Sequence, residues 1–178
     1  MNRPLATSGM VKAALLAALI AATSQLSIPQ PFSAVPITLQ VFFVLLAGAV
    51  LGPLYGSLSM VVYVLLGLAG LPVFANGGSG IGTLVGPTGG YLIGFILATG
   101  VIGWIVSAGK ASMAQILLAM GAGIIVIYTC GVMQLSFVAK MAIGQAIIAG
   151  AGPFIVLDFA KAIVAALVAK RVIRSQAT

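Results

Sequence analysis

Long runs of apolar residues, separated by short polar or glycine- and proline-rich segments, occupy most of this chain. A helix needs about 20 apolar residues to cross the hydrocarbon core of a bilayer, so the pattern predicts about six spans. The runs are continuous and do not alternate residue by residue as in a membrane β-barrel. We therefore expect a single all-α transmembrane domain over residues 1–178, with spans at 9–28, 37–51, 53–70, 90–107, 113–132 and 153–170.

Three of the predicted connections are longer and more polar than the others. The connection over residues 29–36 is rich in proline, and the one over residues 71–89 is rich in glycine. The third, over residues 134–152, could contain a short helix at the membrane surface. Gly52-Pro53, in contrast, predicts a tight turn between two short spans.

Composition supports a membrane protein, because 62% of the 178 residues are hydrophobic and 5% are charged. The net charge of +7 does not indicate nucleic-acid binding, because the basic residues form no face with interleaved aromatic residues. Contact with the phosphate groups of membrane lipid explains these residues better.

The basic residues also predict an orientation, because lysine and arginine accumulate in cytoplasmic connections. An even number of spans places both termini on one side, and that side would hold Arg3, Lys12, Lys110, Lys170, Arg171 and Arg174. The opposite side would hold Lys140. Both termini are therefore expected in the cytoplasm, and the three long connections are expected outside.

Asp158 is the only acidic residue, and it lies in an apolar run with Lys161 three positions later. An ionisable group at bilayer depth costs roughly 2.5–3.5 kcal/mol on insertion scales. The spacing puts both side chains on one helix face, with Asp158 about 8 Å below the outer end of the last span. Either the pair neutralises itself and fixes helix packing, or it binds a ligand. The convergence of the polar connections at the same level favours a ligand site open to the outside.

The first predicted span carries two series of alanines that repeat every four residues: Ala13, Ala17 and Ala21, and Ala14, Ala18 and Ala22. Small residues allow another helix to approach closely in lipid. Together the two series are expected to form one continuous small-residue surface, which either packs inside the bundle or docks a partner subunit.

The sequence contains few residues that could catalyse a reaction. The chain has no histidine, which is the commonest metal ligand and proton shuttle. The glycine-rich connection lacks both the Gly-Lys-Ser/Thr motif and Gly-x-Gly-x-x-Gly spacing, so this chain is not expected to hydrolyse ATP. A serine–lysine dyad built on Lys161 has no serine near it in sequence. We expect no catalytic residue, no metal and no cofactor.

Three segments together resemble the BioY family, the biotin-binding S components of energy-coupling-factor (ECF) transporters. They are Val35-Pro36-Ile37-Thr38-Leu39-Gln40, then Gly70-Leu71-Pro72-Val73-Phe74-Ala75-Asn76 running on to Gly86-Pro87-Thr88-Gly89-Gly90-Tyr91, and finally Pro153-Phe154 with Asp158 and Lys161.

The resemblance implies a multi-pass cell-membrane protein that captures biotin from outside. A transmembrane coupling protein and paired ATPases would be its partners, and the alanine surface would dock the coupling protein. The implied ligand contacts are Asp158, Lys161 and Asn76, with Tyr91, Thr38 and Gln40 as further candidates. The residues alone leave two other functions open, namely an assembly subunit that binds no small molecule and a small facilitator. The shortage of pore-lining charge argues against the facilitator.

Overall fold

The computed structural model describes residues 7–31 and 33–177, which form seven α-helices, one 3-10 turn and one β-hairpin. In chain order these elements are α1 (Thr7–Ser24), β1 (Ile28–Gln30), β2 (Ser33–Ile37), α2 (Gln40–Leu68), the 3-10 turn Ala75–Gly77, α3 (Gly80–Val85), α4 (Gly89–Ser107), α5 (Met113–Val138), α6 (Ile143–Gly150) and α7 (Ile155–Ala177). Arg3, which contributes to the predicted orientation, lies outside the described residues.

The described chain is mostly helical, and several of its helices are long and apolar enough to cross a membrane. By length and composition α1, α2, α4 and α5 could each cross a bilayer. The pair α6 and α7, bent by 51°, gives a fifth candidate if it is counted as one span. The expected class, a helical membrane protein, is confirmed.

Helix α2 changes direction at Gly52, where the backbone leaves helical geometry at φ 74° and ψ −177° and Pro53 follows. A Cβ placed on Gly56 would lie 3.2 Å from the Cα of Gly48. Residues at this separation along a straight helix would be about 12 Å apart. The chain therefore folds back on itself at the predicted turn. Glycine reaches this backbone conformation without the steric cost that other residues meet.

The proline-rich connection corrects the all-α expectation, because it forms an antiparallel hairpin. Ile28 of β1 lies opposite Ile37 of β2, and Gln30 lies opposite Ser33. Each strand of a two-stranded hairpin has a free edge, so Pro29 and Pro36 can occupy strands without removing a needed donor. The third connection contains the short helix α6, and α5 runs beyond the predicted end of its span at residue 132.

Small residues set the spacing between the helices. Helix α2 packs on α4, α4 packs on α5, and both α1 and α7 pack on α2. A Cβ on Gly90 would lie 2.2 Å from the carbonyl oxygen of Cys130, so only glycine permits this approach of α4 to α5. Close contact of this kind holds helices together in lipid, where the solvent provides no hydrophobic drive for their association.

We expect Gly52→Ala to lower the free energy of unfolding by about 1–3 kcal/mol, because alanine is strained at this positive φ. Gly121→Ala is the matched control, because an added Cβ there meets nothing within 4 Å. Equilibrium unfolding in detergent measures both variants. Equal stability of the two would contradict the structural role assigned to the turn.

Candidate functional site

A cavity lies at the end of the bundle that carries the β-hairpin, the glycine-rich connection and α6. It contains about 840 Å³ of empty space, open mouth included. Its lining combines apolar side chains with a few polar groups, as is typical of small-molecule sites. The cavity is lined by the predicted ligand contacts Asp158, Lys161, Asn76, Tyr91, Thr38 and Gln40. Residues from distant parts of the sequence therefore meet at one place.

Asp158 and Lys161 form an ion pair in the cavity wall, with 2.7 Å between Oδ1 and Nζ. Their side chains are 4% and 15% exposed, respectively. Lys161 also donates to the carbonyl oxygen of Thr38 at 2.8 Å. Removing one partner of such a buried pair leaves an uncompensated charge, at a cost of about 3–5 kcal/mol. The pair is thus self-neutralising and at the same time presents an acceptor and a donor side by side.

Tyr128 of α5 completes this group, although no sequence motif predicts a role for it. Its hydroxyl donates to Oδ2 of Asp158 at 2.7 Å. Both carboxylate oxygens therefore have a protein donor, which fixes the orientation of the Asp158 side chain. A tyrosine in an apolar run is ordinarily explained as core or as an interface anchor, and only the packing of α5 on α7 brings it to Asp158.

Thr38 and Gln40 line the cavity, but their polar groups also bond to protein. The Thr38 hydroxyl donates to Oε1 of Gln40 at 3.0 Å. Nε2 of Gln40 donates to the Tyr63 hydroxyl at 2.6 Å, and that hydroxyl donates to the carbonyl oxygen of Val73 at 3.0 Å. This chain of bonds attaches the start of α2 to the glycine-rich connection.

Asn76 lies at the exposed rim of the cavity, in the left-handed region at φ 57°. Asparagine tolerates this region better than most residues. The Ser27 hydroxyl donates to Oδ1 of Asn76 at 2.7 Å, and the Asn76 backbone N–H donates to that hydroxyl oxygen at 3.1 Å. Over residues 7–31 and 33–177 the Asn76 side-chain N–H groups donate to no protein acceptor, so they can meet a ligand.

Tyr91 serves as a wall of the cavity and as a connector between helices. Its hydroxyl donates to the carbonyl oxygen of Gly150 at 2.8 Å, which joins α4 to α6. A Cβ on Gly131 would lie 2.4 Å from the Tyr91 ring. The ring therefore occupies space that a larger residue on α5 would fill.

The two alanine series of α1 face different surroundings, so they do not form one continuous exposed surface. Ala13 and Ala17 are each 1% exposed, and Ala21 is half-buried against the core. Ala14, Ala18 and Ala22 are exposed. The first series packs within the chain, and only the second is accessible to another protein.

Comparison with known proteins agrees with these findings. The family model described as "BioY family" matches residues 1–178. "Biotin transporter BioY" of Thermotoga maritima is 49% identical over 162 residues, covering 91% of this chain and 94% of the relative. "Probable biotin transporter BioY" of Pyrococcus horikoshii is 44% identical over 158 residues, covering 89% of this chain and 91% of the relative.

A solved structure is also similar. The crystal structure of the S-component for biotin from an ECF-type ABC transporter matches with a TM-score of 0.88 and 29% sequence identity. The match covers 98% of this chain and 95% of the solved chain. The extent of both the sequence and the structural similarity leads to one assignment. The chain belongs to the BioY family.

Proposed function

We propose that this chain is the biotin-binding membrane subunit of an ECF-type vitamin uptake transporter. The observation that carries the proposal is the Asp158–Lys161 ion pair in the wall of a small-molecule cavity, within a chain of this family. The chain captures the vitamin, and partner ATPases hydrolyse ATP. It needs no cofactor of its own for this role.

The ureido group of biotin fits the ion pair. A ureido group carries two N–H donors next to one C=O acceptor, and the pair offers an acceptor next to a donor. Asp158 can accept from a ureido N–H. Two Nζ hydrogens of Lys161 already bond to Asp158 and Thr38, so the third can donate to the ureido oxygen.

The carboxylate end of biotin fits the ion pair less well. The pair has no net charge to attract an anion, and Asp158 would repel a second carboxylate at close range. The three long connections contain no arginine, so a bidentate arginine clamp is excluded. We place the carboxylate at the mouth of the cavity, near the side-chain N–H groups of Asn76 and the hydroxyl of Thr88. The apolar ring system would then contact Phe74, Phe95 and Phe154, which also line the cavity.

We further propose six membrane passes, formed by α1, the two halves of α2, α4, α5 and α7. The halves of α2, residues 40–51 and 53–68, are about 18 Å and 24 Å long and so are shorter than a hydrocarbon core. The hairpin and the connection at residues 71–79 extend them at the cavity end. Irregular backbone is tolerated at membrane depth where it lines a cavity.

The charge distribution supports cytoplasmic termini and a cavity open to the outside. α1 starts near Lys12 and ends beside the hairpin that lines the cavity. α7 starts at the cavity and ends at Lys170, Arg171 and Arg174. Lys110 lies between α4 and α5, also away from the cavity. The basic end is therefore assigned to the cytoplasm.

The exposed alanine series of α1 is the surface we assign to the transmembrane coupling protein. Ala14, Ala18 and Ala22 would allow a partner helix to approach closely. Ala17 cannot serve in this way, because it is buried against the chain's own core.

The orientation of biotin is tested by Lys161→Met together with 2-iminobiotin, in which a guanidinium replaces the ureido group. Biotin affinity should fall by about tenfold or more, because a hydrogen bond from a charged donor is lost. Binding of the cationic analogue should be preserved or improved, because Lys161 no longer repels it and Asp158 can pair with it. Isothermal titration calorimetry with both ligands measures the change in preference.

Two further variants make this result decisive. Lys140→Met, in the connection between α5 and α6, should leave both affinities unchanged. Asp158→Asn should weaken both ligands. An unchanged ratio of the two affinities in Lys161→Met would contradict the placement of the ureido group, and unchanged biotin binding in Asp158→Asn and Lys161→Met would contradict the site.

The docking surface is tested by Ala18→Leu, with Ala160→Leu as a control at an exposed alanine of α7. Ala18→Leu should preserve biotin binding and thermal stability but reduce co-purification with the coupling protein and ATPases. Ala17→Leu should instead lower stability, because it overfills a buried position. Normal complex formation by Ala18→Leu would refute this docking surface.

A further inference from the structure

The roof of the cavity consists of two parts that are held very differently. The first part, residues 71–76, is bonded to the bundle from below. The Ser24 and Tyr63 hydroxyls both donate to the carbonyl oxygen of Val73, and Nε2 of Gln25 donates to that of Pro72 at 2.6 Å.

An aromatic contact adds to this anchoring. Phe74 is 1% exposed, and its ring packs edge-on against Tyr63 with 5.6 Å between centroids. Side chains at and just after the end of α1, together with Tyr63 of α2, therefore fix the first part of the roof in place.

The second part of the roof, residues 78–88, has much weaker attachment. None of its residues is buried, and Leu84 contributes a partly buried contact with the core. Nε2 of Gln134 on α5 donates to the carbonyl oxygens of Leu84 at 2.8 Å and Gly86 at 2.7 Å. In the described part of the chain, the other hydrogen bonds of residues 78–88 stay within residues 74–91.

The two parts meet at a junction that contains two glycines with unusual backbone angles. Gly77 and Gly80 have positive φ values of 70° and 75°, and a Cβ on either would meet nothing within 4 Å. Glycine at such positions can change its backbone angles at little steric cost. Thr83 and Thr88 of the second part line the cavity, so rotation about this junction would uncover the ligand.

We propose that Gln134 is a positioning residue that holds residues 78–88 closed over the bound ligand and thereby sets its rate of release. This inference rests on the proposed function for the identity of the ligand. The closing bonds themselves are independent of that identity. Residues 71–76 stay in place when the second part opens.

The kinetic test compares Gln134→Leu and Gln134→Glu with Gln115→Leu. Gln115 is a matched control, because it also lies on α5 and its Nε2 also donates to a backbone carbonyl, that of Ile105 at 2.6 Å. Loss of the two bonds from Gln134 should accelerate biotin dissociation roughly tenfold. The association rate should not fall, which separates faster opening from a damaged site. Unchanged dissociation, or equal acceleration in Gln115→Leu, would overturn the proposal.

A ligand-free measurement separates this proposal from the proposed function. Amide hydrogen exchange of residues 79–88, apart from Pro87, should become about tenfold faster in Gln134→Leu, while that of residues 73–76 should not change. If exchange responds and biotin does not bind, the roof assignment stands and the ligand assignment fails. If exchange at residues 79–88 does not respond, the role of Gln134 is refuted even when biotin binds.

Discussion

The buried ion pair between Asp158 and Lys161 is the interaction on which the site depends. A single carboxylate at this depth is stable because Lys161 and Tyr128 bond to both of its oxygens. Lys161 also bonds to the backbone of Thr38, so the pair joins α7 to the segment between the hairpin and α2. The same bonds that stabilise the charges therefore bring together three separate parts of the chain. In the proposed function, these bonds also orient the groups that meet biotin.

Close packing of small residues makes this arrangement possible. Gly90 allows α4 to touch α5, and the Gly52 turn doubles α2 back so that both halves contribute to the bundle. The helices are thus held near enough for Tyr128 to reach Asp158. The cavity lies where the hairpin and the glycine-rich connection replace regular helix. In a membrane, irregular backbone is tolerated where protein shields it or where it lines a cavity.

Much of this architecture is readable from one sequence because a bilayer imposes strong constraints. The length of the apolar runs predicts a helical membrane protein. The cost of burying a charge points to Asp158 and Lys161 before the three-dimensional structure is known. The hairpin was missed because short strands leave little periodic signal. Tyr128 was missed because its partner lies on another helix. The alanine surface was predicted as one continuous face, and only the packing of α1 on α2 reveals which series is exposed.

A structure of the complex with biotin is the decisive measurement for this site. A ureido N–H should lie within hydrogen-bond distance of the Asp158 carboxylate, and the ureido oxygen should lie within reach of Nζ of Lys161. The biotin carboxylate should lie at the mouth of the cavity, near Asn76. Biotin bound in the opposite direction, with its carboxylate at Lys161, or bound outside this cavity, would contradict the proposed roles of Asp158 and Lys161.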